Sequence, residues 1–116
     1  VCAAIGLGQL EVLDERVMQK RKINEYYKKE FSSINEISFL EENESSFSNY
    51  WLTTILLDTN SAIDRRKLRL YLEKDNIETR PLWKPMHIQP IFKDCKSYTN
   101  GVSEDLFERG LSINEY

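Results

Sequence analysis

Residues 50–57 have the sequence Tyr-Trp-Leu-Thr-Thr-Ile-Leu-Leu. Aromatic, β-branched and leucine side chains fill both alternating sets of positions, which is typical of a strand covered on both faces. A polar run at residues 41–49 precedes this stretch and a polar turn at residues 58–60 follows it. The stretch therefore predicts a central strand in a layered domain.

On the N-terminal side, residues 3–31 are predicted to form one long amphipathic helix, because apolar residues recur every three or four positions. Gly6 and Gly8 lower the helix propensity at its start. They either allow another helix or a subunit to pack closely, or they lie on a tolerant surface. The basic cluster at residues 20–22 is interpreted as a solvated helix face. Residues 37–40 are predicted to form a short strand.

On the C-terminal side, a second helix is predicted from Ser61 to about Lys74. Ser61 and Asp64 fit the Ser-x-x-acid pattern, in which the serine oxygen accepts a backbone N–H at the helix start. The side chains predicted to face inward are Leu68, Tyr71 and Leu72.

Three further elements are predicted towards the end of the chain. Residues 77–82 are predicted to form a strand, which Pro81 places at a sheet edge or a strand end. Residues 103–110 are predicted to form a short helix with a serine cap and a glycine stop, and residues 111–113 a last strand. The element order indicates an α+β domain, in which helices pack on a small, mostly antiparallel sheet.

Composition excludes several classes of function. The 116 residues carry 16 Lys and Arg against 19 Asp and Glu, so no broad basic field exists for nucleic acid. No apolar run is long enough to span a bilayer, and no signal peptide is expected. A single histidine excludes a multi-histidine metal site. Cys2 and Cys95 are expected to be free thiols in a reducing cytoplasm. The start at Val1 indicates a cropped piece.

The apolar segment at residues 82–92 is irregular, because prolines at 81, 85 and 90 prevent a regular helix or a central strand. It either packs over the core or lines a pocket. His87, in its middle, is either satisfied by a backbone carbonyl or donates to a ligand oxygen. Arg80 either pairs with a surface carboxylate or contacts a phosphate. Trp83 and Trp51 either pack in the core or an interface, or stack on a ligand.

This segment carries a family resemblance. It has the sequence Arg80-Pro81-Leu82-Trp83-Lys84-Pro85-Met86-His87-x-Gln89-Pro90-x-Phe92. The run resembles the signature of the DegT/StrS family of pyridoxal phosphate (PLP)-dependent nucleotide-sugar aminotransferases. Three further stretches are similar to the family in the expected order, at residues 1–14, 50–54 and 106–111. Within the family, the segment is most similar to enzymes that aminate UDP-linked 4-keto sugars, such as UDP-N-acetylbacillosamine aminotransferases.

The resemblance implies that residues 1–116 form the small C-terminal domain of a fold-type I PLP enzyme, truncated at both ends. In such enzymes glutamate supplies an amino group that passes through PLP to the C4 ketone of a nucleotide sugar. The lysine that binds PLP covalently belongs to a large domain outside this chain. No catalytic, cofactor-binding or metal-binding residue is therefore expected here, and the isolated piece is expected to be inactive.

The resemblance further implies a cytoplasmic homodimer that takes part in polysaccharide or glycan biosynthesis. Its active site lies between the large domain, the small domain and the second subunit. The residues expected to form the wall facing the nucleotide sugar are His87, Arg80, Trp83 and Met86. An alternative is a non-catalytic binding or dimerisation module that keeps the family fold. One departure concerns the end of the chain, where Ser112-Ile113-Asn114-Glu115-Tyr116 replaces the Leu-Pro-Ser-type turn of the family.

Overall fold

The computed structural model describes residues 1–113, which form four α-helices, two short 3-10 turns and a four-stranded sheet. The α+β class predicted from the sequence is confirmed. In chain order the helices and strands are α1 (Cys2–Glu11), α2 (Leu13–Glu30), β1 (Ile37–Phe39), β2 (Thr53–Leu57), α3 (Arg65–Lys74), β3 (Thr79–Pro81), α4 (Val102–Arg109) and β4 (Gly110–Ile113).

The sheet has the strand order β1-β2-β4-β3, and every neighbouring pair is antiparallel. The central position predicted for the strand in residues 50–57 is confirmed, because β2 pairs with β1 on one side and with β4 on the other. The strand predicted near residues 77–82 is the edge strand β3, in agreement with Pro81.

The core lies on one face of this sheet. Ile55 is in register with Leu111, and Ile113 is in register with both Thr53 and Thr79. Residues in register share a face of the sheet, so these side chains form one continuous row. The buried apolar side chains of the described residues are Ile55, Leu57, Leu111 and Ile113.

The strand β2 is shorter than predicted, because Tyr50 leaves the extended conformation. Tyr50 has a φ of 43°, and its hydroxyl accepts a hydrogen bond from the backbone N–H of Glu42 at 3.3 Å. Its ring also lies 5.2 Å from the guanidinium carbon of Arg21. Tyr50 and Trp51 therefore belong to the preceding loop, and pairing begins at Thr53.

The prediction of one unbroken helix over residues 3–31 is wrong at Val12. Val12 has backbone angles of φ −113° and ψ 6°, and its N–H donates to the Gln9 carbonyl at 3.4 Å. Such an i→i−3 bond tightens the end of α1, and the β-branched side chain of Val12 favours the interruption. A Cβ added to Gly6 or Gly8 would meet nothing within 4 Å, so no close packing occurs there in the described residues.

The basic cluster at residues 20–22 is not entirely solvated. Arg21 is only 18% exposed and donates to both carboxylate oxygens of Glu42, at 3.0 and 2.7 Å. It also donates to the Ser48 carbonyl, and its guanidinium lies 4.3 Å from the Phe47 ring centroid. Arg21 thereby anchors the polar loop onto α2.

Both predicted serine caps are wrong. The start of α3 is capped by Asp64, whose carboxylate accepts the Lys67 N–H at 2.8 Å, whereas Ser61 forms a local turn with Ile63. The start of α4 is at Gly101, which has a φ of 83°, and not at Ser103. Ser61 lies three residues before Asp64, so its side chain is not at the capping position of α3.

One other detail of the predicted helices differs. Tyr71 of α3 is predicted to face inward and is exposed, whereas Leu68 and Leu72 are half-buried. The predicted glycine stop is confirmed, because α4 ends at Gly110, which has extended angles and begins β4. Of the departure from the family at residues 112–116, Ser112 and Ile113 belong to β4, and residues 114–116 lie outside the described residues. No helix within residues 1–113 has the length and apolar character to cross a membrane.

Candidate functional site

The irregular segment between β3 and α4 contains two single 3-10 turns, Met86–Ile88 and Pro90–Phe92. Pro85 precedes the first turn and Pro90 opens the second. Proline fixes its own φ and lacks an N–H, so it starts a helical turn but prevents a longer helix from running through it. The prolines predicted to prevent regular structure are confirmed to do so, and they fix the backbone of this segment.

His87 is held by a carboxylate. Its Nε2 lies 2.5 Å from Oε1 of Glu104, in the first turn of α4. The partner is a carboxylate and not the backbone carbonyl that was one of the two expectations, and a contact with a ligand oxygen stays a prediction. The His87 and Glu104 side chains are 19% and 30% exposed, so the pair is partly shielded from water. The contact joins the irregular segment to α4.

The carboxyl of Glu104 is stabilised in its charged form. Its own backbone N–H is the main cause that lowers its pKa below the ordinary value, and hydrogen bonds from His87 and Ser103 add to the effect. The Ser103 hydroxyl lies 3.0 Å from Oε2, on the side of the carboxylate away from His87. Glu104 is therefore an anionic acceptor with both oxygens in use.

Trp83 lies against Trp51, with ring centroids 6.2 Å apart. Both rings are largely exposed, at 72% for Trp83 and 60% for Trp51, so neither is a core residue in the described chain. The two rings line a hollow of about 280 Å³ together with the apolar side chains of Leu40, Leu52, Leu56, Leu82 and Leu106. Two exposed rings beside an apolar hollow are compatible with packing in an interface and with stacking on a ligand.

Arg80 lies elsewhere. It forms an ion pair with Glu78 at 2.7 Å, which matches the first of its two expected roles. It lines a groove between α3 and β3, beside the arginines at 65, 66 and 69, and not the hollow of the two tryptophans. The structure therefore does not bring Arg80 and Trp83 together in one cavity.

Met86 is exposed and precedes His87 in the first turn. Its sulfur accepts a hydrogen bond from the Gln89 side chain at 3.5 Å, and the same amide donates to the Lys84 carbonyl at 3.0 Å. Gln89 thus supports the turn that carries Met86 and His87.

Sequence reasoning missed Glu104. Residues 103–105 were interpreted only as the start of a helix, and nothing in the local pattern pairs a carboxylate there with a histidine 17 positions earlier. The sequence does indicate that such a partner exists, because a partly buried nitrogen of the single histidine needs a hydrogen-bond partner. Within residues 1–113, no group of three or more His, Cys, Asp or Glu side chains is arranged to hold a metal ion.

The sequence matches the DegT/DnrJ/EryC1/StrS aminotransferase family over residues 1–116. The chain belongs to this family. It is 41% identical over 117 residues to a protein of Bacillus subtilis (strain 168) named as the pyridoxal phosphate-dependent aminotransferase EpsN, covering 97% of this chain and 30% of that protein. It is 37% identical over 116 residues to a GDP-perosamine synthase of Escherichia coli O157:H7, covering 100% of this chain and 30% of that enzyme.

Solved structures share the fold of this family member. DesI, determined in the presence of its TDP-sugar product, aligns with a TM-score of 0.86 at 19% identity, over 97% of this chain and 29% of that chain. The E. coli GDP-4-keto-6-deoxy-D-mannose-3-dehydratase with bound hydrated PLP aligns with a TM-score of 0.82 at 24% identity, over 97% of this chain and 30% of that one. The chain thus spans about 30% of the length of the relatives it matches.

Proposed function

We propose that this chain is the C-terminal domain of a PLP-dependent aminotransferase that moves an amino group from glutamate to a nucleotide-linked 4-keto sugar. The observation that carries the proposal is the family match over residues 1–116, with relatives named as GDP-perosamine synthases. Perosamine is an amino sugar, so those names describe enzymes that form amino sugars on a nucleotide carrier.

The described residues do not fit a covalent PLP site. A lysine that reacts with the cofactor needs a shielded pocket that favours its neutral amine. The lysines of residues 1–113 are exposed or half-buried, and none lines the groove beside α3 or the hollow of the two tryptophans. The proposal therefore assigns PLP, and the chemistry that PLP supplies, to a part of the enzyme outside these residues.

In this proposal the chain contributes one wall of the nucleotide-sugar site. The wall consists of the proline-fixed segment at residues 80–92, with His87 and Met86 in its first turn and Trp83 beside the apolar hollow. A backbone held by prolines loses little entropy when a ligand binds, which suits a preformed wall. Arg80 lies in the separate groove between α3 and β3. A nucleotide sugar would contact Arg80 and Trp83 together only if it extended from that groove to the hollow beside Trp83.

The rest of the enzyme and a second subunit are the proposed partners. Helix α1 supports this part of the proposal, because Ile5, Leu7 and Leu10 are exposed and no residue of α1 is buried within the described chain. Contiguous exposed apolar side chains on a helix are typical of a surface that packs against another protein surface. We place the working enzyme in the cytoplasm as a homodimer.

The test uses the full-length protein that contains this sequence. The purified protein is incubated with PLP, glutamate and either a GDP-linked or a UDP-linked 4-keto-6-deoxy sugar, and 2-oxoglutarate and the amino sugar are quantified. Formation of both products in equal amounts with one nucleotide sugar is the expected result. A folded, PLP-free protein that forms neither product but still binds a partner subunit would support the alternative, a non-catalytic dimerisation module.

A further inference from the structure

The hydrogen bond between His87 and Glu104 leaves the two nitrogens of one imidazole in different situations. Nε2 lies 2.5 Å from Oε1 of Glu104, while Nδ1 has no hydrogen-bond partner among residues 1–113. The two nitrogens point in different directions from the imidazole ring, so Nδ1 faces away from Glu104 when Nε2 contacts it. The His87 side chain is 19% exposed, so it is not fully enclosed by the described residues.

The Glu104 carboxylate is not engaged by Arg109, the arginine of α4. The next carboxylate of α4, Asp105, is occupied by the guanidinium of Arg109, at 2.8 and 2.5 Å. Ser103 holds the second oxygen of Glu104 at 3.0 Å, which orients the carboxylate. A carboxylate that accepts the N–H of one ring nitrogen fixes the orientation of the ring and leaves the other nitrogen for a second partner.

We infer that Glu104 is a positioning residue for His87, and that it makes Nδ1 the atom with which His87 hydrogen-bonds to a hydroxyl group of the sugar. This inference rests on the proposed function for the identity of the ligand, whereas the orientation of the ring rests on the described contacts alone.

The orientation of the ring is tested without activity. The chain has one histidine, so labelling with ¹⁵N-histidine gives a single imidazole spin system in its NMR spectrum. We expect a Nε2–H proton that exchanges slowly with water in the wild-type chain. Glu104→Ala should make this exchange fast, and Glu104→Gln should restore part of the protection because its amide oxygen can accept the bond.

Glu108→Ala is the matched control, because Glu108 is an exposed carboxylate one turn later on α4. This variant should exchange as the wild type does. Circular dichroism of every variant establishes that α4 and the sheet are still formed. Equal exchange in folded Glu104→Ala and Glu108→Ala would overturn the positioning role.

The ligand-facing atom is tested by kinetics of the full-length protein. The amide of Asn lies near the Nδ1 position of histidine, and the amide of Gln lies near the Nε2 position. We therefore expect His87→Gln to raise KM for the nucleotide sugar about tenfold and His87→Asn to raise it less, with KM for glutamate unchanged in both. Glu104→Ala should raise the same KM, and Glu104→Gln should recover part of the loss.

The outcomes separate the two proposals. A larger KM effect from His87→Asn than from His87→Gln, or an unchanged KM in both, would overturn the assignment of Nδ1 while leaving the aminotransferase function intact. A protein with no transaminase activity would overturn the proposed function and the sugar contact with it. The exchange experiment would still decide whether Glu104 positions the ring.

Discussion

At the scale of single residues, the contact between Arg21 and Glu42 stands out because it joins a helix to a loop that has no regular structure of its own. The Glu42 carboxylate also accepts the backbone N–H of Ser48 at 2.7 Å. The hydrogen bond from Arg21 is the main cause that lowers the pKa of Glu42 from 4.5 to about 2, and the Ser48 N–H adds to it.

A pH dependence of stability follows from this lowered pKa. The folded chain holds Glu42 ionised at pH values where the unfolded chain would protonate it, so its contribution is complete above pH 4.5 and is lost as the pH falls towards about 2. The unfolding free energy of the wild type should therefore fall between pH 6 and pH 3, and this fall should be smaller in Glu42→Gln. Urea titration at each pH measures both. Glu44→Gln, at an exposed carboxylate of the same loop, is the control and should leave the pH profile unchanged.

Gly110 is the glycine whose lack of a side chain the packing requires. A Cβ at this position would lie 2.5 Å from the Leu106 carbonyl oxygen and would overlap the Leu82 side chain. We expect Gly110→Ala to lower the unfolding free energy by about 1–3 kcal/mol, measured by chemical denaturation. Gly8→Ala should instead raise it by up to about 1 kcal/mol, since Gly8 is helical and has open space around it. Equal effects of the two changes would contradict the packing assigned to Gly110.

At the scale of elements, the start of α3 offers a direct comparison of two candidate caps. The backbone N–H of Lys67 is the main cause that lowers the pKa of the Asp64 carboxyl, and the bond satisfies an N–H that the helix leaves open. Asp64→Ala should lower the midpoint of thermal unfolding, and Ser61→Ala should lower it by less. A larger effect of Ser61→Ala in a differential scanning measurement would mean that the predicted serine cap operates in solution.

Much of the element order was predictable, and each error has a specific physical cause. The periodic apolar pattern predicted the helical content of residues 3–31, but the interruption at Val12 changes only two backbone angles and leaves the pattern intact. The sequence predicts a strand that includes Tyr50 because its side chain favours strands, whereas tertiary contacts with Arg21 and Glu42 hold Tyr50 in a left-handed conformation. Propensity describes a residue alone, whereas the conformation of Tyr50 depends on partners distant in the chain.

The candidate site was predictable only in part for the same reason. Prolines at 85 and 90 act on their own neighbours, so the irregular backbone around His87 could be predicted from the sequence. The partner of His87 could not, because α4 reaches it only through the fold. The separation of Arg80 from Trp83 was also beyond the sequence, because Arg80 lies in β3 against α3 whereas Trp83 lies beyond the end of the strand and packs against Trp51.

At the scale of the whole molecule, the core is small for the length of the chain. Leu111 is fully buried and lies in register with both Ile55 and Pro81. We expect Leu111→Ala to lower the unfolding free energy by about 2–5 kcal/mol in a denaturant titration. Leu70→Ala, at an exposed position of α3, should change it by no more than about 0.5 kcal/mol. A similar loss from both variants would indicate that the sheet face is not the main core.

The strand order has a consequence for synthesis on the ribosome. Strand β4 lies between β2 and β3, so the two halves of the sheet have no hydrogen-bonded contact until residues 110–113 leave the exit tunnel. Thr54 and Ser112, whose hydroxyls lie 3.2 Å apart across β2 and β4, are separated by 58 positions in the chain. A nascent chain that has released only β1, β2 and β3 exposes the edges of β2 and β3 to other chains. Translational pausing before residue 110 would prolong that exposure and favour aggregation, whereas rapid completion lets β4 seal both edges at once.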